Sequence, residues 1–191
     1  EYGDSETLGN KTEIIDGIYE ALDPVKLFSD ILKYGDKYKV GYACRRLADY
    51  DAYDYLGDIY ELSKSKNRNT AYNAAMALAR LGYADGVAEY ILKIQTDKRY
   101  SFRIIHELFA NFSADRAELA AQVLEECDTH MKSVIIKAIA PYGFTGFRRL
   151  YIDGTTAKDT DRRVACVKAL GNLADPANEQ ILLTAASDRD W

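Results

Sequence analysis

His106 and Glu107 stand side by side, an imidazole and a carboxylate of the kind from which metal sites are built. A transition-metal site needs three or more such donors. The chain has only two histidines, and the other, His130, falls in a turn between helical stretches. His106 also occupies a position that is apolar in the equivalent segments described below. It is therefore expected to be a partly buried, hydrogen-bonded histidine and not a ligand. Cys44, Cys127 and Cys166 are odd in number and lack paired spacing, so they do not form a disulfide framework. They are expected as three reduced, buried thiols behaving as small hydrophobes. Gly143-Phe144-Thr145-Gly146 lacks the lysine of a phosphate-binding loop, and no nucleophile elbow is present. These patterns assign no catalytic residue, no cofactor and no metal. Asn10-Lys11-Thr12 and Asn111-Phe112-Ser113 match the glycosylation acceptor pattern, which matters only in a secreted eukaryotic protein.

The elements that must carry any site are helical. Of 191 residues, 48% are apolar, which suffices for a core, and the three prolines and twelve glycines are too few for a flexible linker. Ala, Leu, Lys and Glu recur at helical spacing, and β-branched runs are scarce. The net charge is −5 and uneven. Residues 1–36 carry nine acids and three lysines, whereas residues 37–191 carry 22 bases and 21 acids. A near-neutral body argues against nucleic acid, which calls for a basic stripe. No apolar run reaches the ~20 residues that span a bilayer, and no signal peptide is present. The chain begins at Glu1 and not Met, so an upstream segment, with room for a membrane anchor, is expected.

Residues 1–24 read as an acidic lead-in with one amphipathic helix, from Glu13 to Leu22. Asp23-Pro24 then starts a helix, Asp capping and Pro in the first turn, which stops near Gly35. From there a register runs to the end. Its anchors are Leu47, Leu78, Phe109, Ile139 and Leu170, separated by 31, 31, 30 and 31 residues. The residue after each is small: Ala48, Ala79, Ala110, Ala140 and Gly171. Such residues let two helices approach closely. Positions −4, −3, 0 and +3 form one helical face and are predicted to be core. A second, weaker set of helices lies between, around Ile59, Tyr90, Val123, Leu150 and Leu182, with Asp85, Asp115 and Asp175 as expected N-caps. A period of about 31 residues lies in the helical-solenoid range.

Asp161-Arg162-Arg163-Val164-Ala165 through Ala169-Leu170-Gly171-Asn172-Leu173-Ala174-Asp175-Pro176 resembles the HEAT-like repeat family in its short bacterial form. The resemblance covers residues 25–191. It implies an all-α, right-handed α-solenoid of about five helix pairs, cytoplasmic or tethered through a membrane segment outside these residues. Ala186 to Trp191 parallels Ala157 to Arg162, so the last repeat is expected to be cut short. Some relatives hydroxylate a modified lysine with several His-Glu pairs holding two irons, but this chain has one such pair. Others act on bilin pigments, and one group repairs DNA with a strongly basic concave surface that the charge balance here does not provide. Fold alone carries none of these activities.

In such solenoids the concave side binds partners, and it is lined by the anchor helices. The face away from the core holds positions −9, −6, −2 and +2. That selects Tyr38, Arg45, Tyr72, Met76, Arg80, Tyr100, Arg103, Glu107, Lys137 and Lys168, with His130, Ser133 and Asp161 alongside. Tyr and Arg are enriched at interface hot spots. The expected function is a non-catalytic scaffold recognising a protein or peptide, and the alternative is an enzyme or enzyme subunit acting on a protein or pigment. Asp51-Ala52-Tyr53-Asp54-Tyr55 is read as a capped turn, and Tyr50, Tyr142 and Tyr151 as core-facing tyrosines whose hydroxyls need partners.

Overall fold

The computed structural model describes residues 17, 23–97 and 102–188. The expected helix from Glu13 to Leu22 lies outside them apart from Gly17, which is helical. Among the described residues every regular element is a helix. They are α1 (Pro24–Tyr34), α2 (Lys37–Asp49), α3 (Leu56–Ser63), α4 (Arg68–Arg80), α5 (Ala84–Ile94) and α6 (Phe102–Asn111). There follow α7 (Arg116–Glu126), α8 (Thr129–Ile139), α9 (Arg148–Gly154), α10 (Thr160–Asn172) and α11 (Glu179–Ala185). Short 3-10 turns at Tyr53–Tyr55, Ala140–Tyr142, Thr145–Phe147 and Pro176–Asn178 complete them. The chain divides into two compact units, residues 1–77 and 78–191, with the boundary inside α4.

The anchor register is the core. Leu47, Leu78, Phe109, Ile139 and Leu170 are all 0% exposed. Four residues before each, Ala43, Ala74, Ile105, Ile135 and Cys166 are buried too. Each anchor side chain contributes on the order of 1.5–3 kcal/mol by leaving water. The register fails at three kinds of position. His106 is exposed, not buried, and lies beside Phe102 with ring centroids 5.6 Å apart. Exposure spares the imidazole the cost of desolvation without a partner. Ala110 and Gly171 are exposed as well, and nothing lies within 4 Å of a Cβ built on Gly171, so close approach does not explain the small residue there. At the +3 position Phe112 and Leu81 are buried, but Tyr50, Tyr142 and Leu173 are half-buried, as is Val167 at −3.

Helix starts follow a rule that spacing alone hides among many acidic residues. The side chains of Asp36, Asn67, Asp128 and Asp159 each accept a backbone N–H from the first turn of α2, α4, α8 and α10. All four stand eleven residues before their anchor. Asp23, Asp115 and Asp175 cap as expected, through Lys26, Ala117 and Ala177. Asp85 does not cap. The N-cap of α5 is Tyr83, and Asp85 lies one residue into the helix, where its carboxylate accepts from Gln122 Nε2 at 2.9 Å. The macrodipole favours an acid in that turn.

Within residues 1–77, α1 packs on α2, and Thr70 Oγ1 donates to the Lys37 carbonyl at 2.9 Å. Asp51 adopts a left-handed φ of 51° and leads into the 3-10 turn that carries Tyr53. Within residues 78–191, α5 packs on α7, α6 on α8, and α8 on α10, so alternate helices lie side by side. Gly82 ends α4 in the left-handed region, φ 73°, which a residue with a Cβ rarely adopts. Gly154 of α9 faces Cys166 of α10 so closely that an added Cβ would overlap the Cys166 sulfur. Asn178, 1% exposed, donates Nδ2 to the Leu170 carbonyl at 3.3 Å and accepts from Arg148 Nε at 3.0 Å. Asn172 Nδ2 reaches the Ala140 carbonyl at 3.0 Å.

Candidate functional site

In residues 1–77, Tyr38 is 67% exposed and Arg45 is exposed on the same side of α2. Tyr42, four residues after Tyr38, is 57% exposed and extends that strip. Tyr72 is half-buried. Met76 does not belong to an exposed face: it is 6% exposed, its flexible thioether taken up by the core. In residues 78–191, Arg80 is exposed. Tyr100 lies outside the described residues. Arg103 Nε and Glu107 Oε1 pair along α6 at 2.8 Å, an i,i+4 arrangement that fixes both side chains to one helix.

Lys137 and Lys168 are different, because the fold brings them to one cleft. The packing of α6, α8 and α10 leaves a cavity of about 160 Å³ among them. Its apolar lining is Phe102, Val134, Val164 and Ala165. Its polar lining is Lys137, Lys168, Asp161, His130 and Ser133. Lys137 Nζ sits 4.7 Å from the centroid of the Phe102 ring, a cation–π contact. Ser133, 5% exposed, turns its hydroxyl back to the Thr129 carbonyl at 3.3 Å. Among the described residues Lys137, Lys168 and Asp161 have no ion-pair partner. The cleft therefore presents two unpaired ammonium groups and one carboxylate around an apolar floor.

Size decides what the cleft can hold. Small-molecule and cofactor sites run to roughly 300–1,000 Å³, and a cavity of about 160 Å³ is the size of one amino-acid side chain. A larger hollow of about 640 Å³ is lined by Asp85, Glu118 and Glu125 with Phe147 and Leu150, with no cation among the described residues that line it. The sequence reading placed His130, Ser133, Lys137, Asp161 and Lys168 on the face but passed over Phe102, Val134, Val164 and Ala165. Phe102, Val134 and Ala165 fall between the selected register positions and Val164 stands on one of them, at −6, and apolar residues on a helix look like core until the neighbouring helices are in place.

The reactive side chains lie elsewhere. Cys44, Cys127 and Cys166 are free and buried. Burial raises the Cys44 thiol to about 12 and the Cys127 and Cys166 thiols to about 11, which disfavours the nucleophilic thiolate. Tyr151 is raised to about 12 by burial and then by the charge of Cys166, and its hydroxyl has no hydrogen-bond partner among the described residues. Tyr50 accepts from Arg46 at 3.5 Å, and the Arg116 guanidinium stands over Tyr142 at 5.3 Å. Among the described residues no three His, Cys, Asp or Glu groups gather to hold a metal, and no helix is long and apolar enough to cross a membrane. No family model and no curated protein sequence matches the chain.

Proposed function

We propose that the chain is a HEAT-like helical-repeat module, a solenoid of about five helix pairs, that binds a protein or peptide segment on the face of its anchor helices and is not itself catalytic. Three features support the repeat reading. The anchors recur at about 31 residues and are fully buried at every copy. Alternate helices pack together in residues 78–191. Polar ties join residues about one period apart, as from Asn172 to Ala140 and from the Asp128 N–H to Gln95 Oε1 at 2.9 Å. Stacked supersecondary units are expected to show all three.

The observation that carries the binding reading is the cleft of α6, α8 and α10, where Lys137 and Lys168 have no ion-pair partner among the described residues and stand beside an apolar floor. Both lysines are exposed at the rim, and a side-chain-sized apolar hollow is the form into which an interface anchor residue fits. Tyr38 and Arg45 supply a second exposed strip on α2. The test is to pan the 191-residue protein against a random dodecapeptide library, with Lys137→Glu/Lys168→Glu and Tyr38→Ala/Arg45→Glu variants as counter-selections. Peptides that lose at least tenfold in affinity for either variant are the expected result. Enrichment of none, or of peptides indifferent to both variants, removes the reading.

A further inference from the structure

We infer that the cleft of α6, α8 and α10 takes one apolar side chain of an acidic peptide, whose flanking carboxylates pair with Lys137 and Lys168. The inference rests on the peptide-binding reading and names the partner's chemistry. The hollow of about 160 Å³ admits a side chain of about leucine size and is floored by Phe102, Val134, Val164 and Ala165. Both lysines line it, and neither has a carboxylate of its own chain among the described residues. Asp161 is the single acid in the lining. Two cations against one anion select a negatively charged segment, and like charge disfavours a basic one. Lys137 already spends its ammonium on the Phe102 ring at 4.7 Å. A carboxylate arriving there keeps that contact and adds a charge-assisted hydrogen bond. Asp161 accepts a peptide N–H at the edge of the cleft. An extended segment then meets an apolar anchor between two charged contacts, the arrangement in which water exclusion strengthens the pairs.

The probes are three fluorescein-labelled heptapeptides and tripolyphosphate, titrated by fluorescence polarisation against the full 191-residue chain at low and at moderate salt. The first peptide has a central leucine flanked by three glutamates on each side. The second replaces the leucine with serine, and the third replaces the glutamates with lysines. The acidic leucine peptide is expected to bind, weakening as salt rises. The serine peptide should bind at least tenfold more weakly and the basic peptide not at all. Lys137→Glu/Lys168→Glu, which changes exposed positions, should abolish binding, and Val164→Trp should weaken it at least tenfold by filling the hollow. Circular dichroism establishes that each variant is folded, and Val164→Ser serves if the tryptophan variant is not. Equal binding of the serine peptide, equal binding to the double lysine variant, or displacement by tripolyphosphate at similar concentration overturns the inference. Binding of the basic leucine peptide in place of the acidic one overturns it while leaving the peptide-binding reading intact. No binding of any peptide counts against both.

Discussion

Arg163 holds Asp188 at two points, Nε to Oδ2 at 2.7 Å and Nη2 to Oδ1 at 3.4 Å. The same guanidinium donates to the Ala157 and Lys158 carbonyls at 3.0 and 3.1 Å, so one side chain ties the start of α10 to the segment after α11. With side chains 16% and 23% exposed, the pair is partly withdrawn from solvent and its geometry is fork-like. Hydrogen bonds to charged groups contribute about 1.5–3 kcal/mol each when broken singly. Arg163→Met and Asp188→Asn are each expected to lower stability by about 2 kcal/mol in urea titrations. A double-mutant cycle should return a coupling of at least about 1 kcal/mol. Additive losses would mean that the pair is incidental.

Asn178 has almost no exposed surface, and both ends of its amide are used. Replacing it with alanine leaves the Leu170 carbonyl without its side-chain donor. A buried polar group stripped of its partner costs about 1–3 kcal/mol. Asn178→Ala should fall in that range by chemical denaturation, and Asn178→Asp should not rescue it, because a carboxylate cannot donate to Leu170.

Gly154 and Cys166 are expected to be coupled through space. Gly154→Ala drives a methyl into the thiol, and overpacking of this kind costs about 1–3 kcal/mol. Cys166→Ala removes the obstacle. The double variant should therefore be more stable than the sum of the two single losses implies. Strict additivity, measured by thermal unfolding, would show that the helices separate to make room.

The three thiols link stability to alkaline pH. Their ordinary value is 9.0, and burial raises them to about 11 or 12 in the folded chain. Above pH 9 the unfolded chain releases these protons while the folded chain keeps them, so the unfolded state binds fewer protons and stability falls as pH rises. The decline is expected between about pH 9 and about pH 12 and should be reduced in a variant with Cys44, Cys127 and Cys166 replaced by alanine. At pH 8 an iodoacetamide time course should modify none of the three in the native protein and all three in urea.

His106 is exposed, so its removal should matter little to folding. His106→Ala is expected within about ±0.5 kcal/mol of the parent, as for surface positions generally. A loss above 1 kcal/mol would restore the buried histidine that the register suggested.

The helices were legible because their determinants are local. Apolar residues at three- and four-residue spacing, Asp23 before Pro24, and Asp115 before Glu118 announce themselves within one or two turns. The anchors were legible because they repeat, and repetition singles out Leu47, Leu78, Phe109, Ile139 and Leu170 from the other apolar residues. Asp85 misled because one acidic residue near a helix start resembles another, and the N-cap is settled by which residue leaves helical φ and ψ. Met76 and His106 misled because each stands at a register position that other copies use differently.

By itself, then, the sequence determined an all-helical chain with a 31-residue beat and a buried anchor at each copy, since helical periodicity and capping depend on neighbours a few residues away. Only the tertiary structure decided that Lys137 and Lys168 share a hollow with Phe102 and Val164, that Arg163 grips Asp188, and that Gly154 meets Cys166. Those relationships depend on which side chains adjacent helices present to one another. That choice is set by packing across elements, where one residue of rotation exchanges a core position for a surface one.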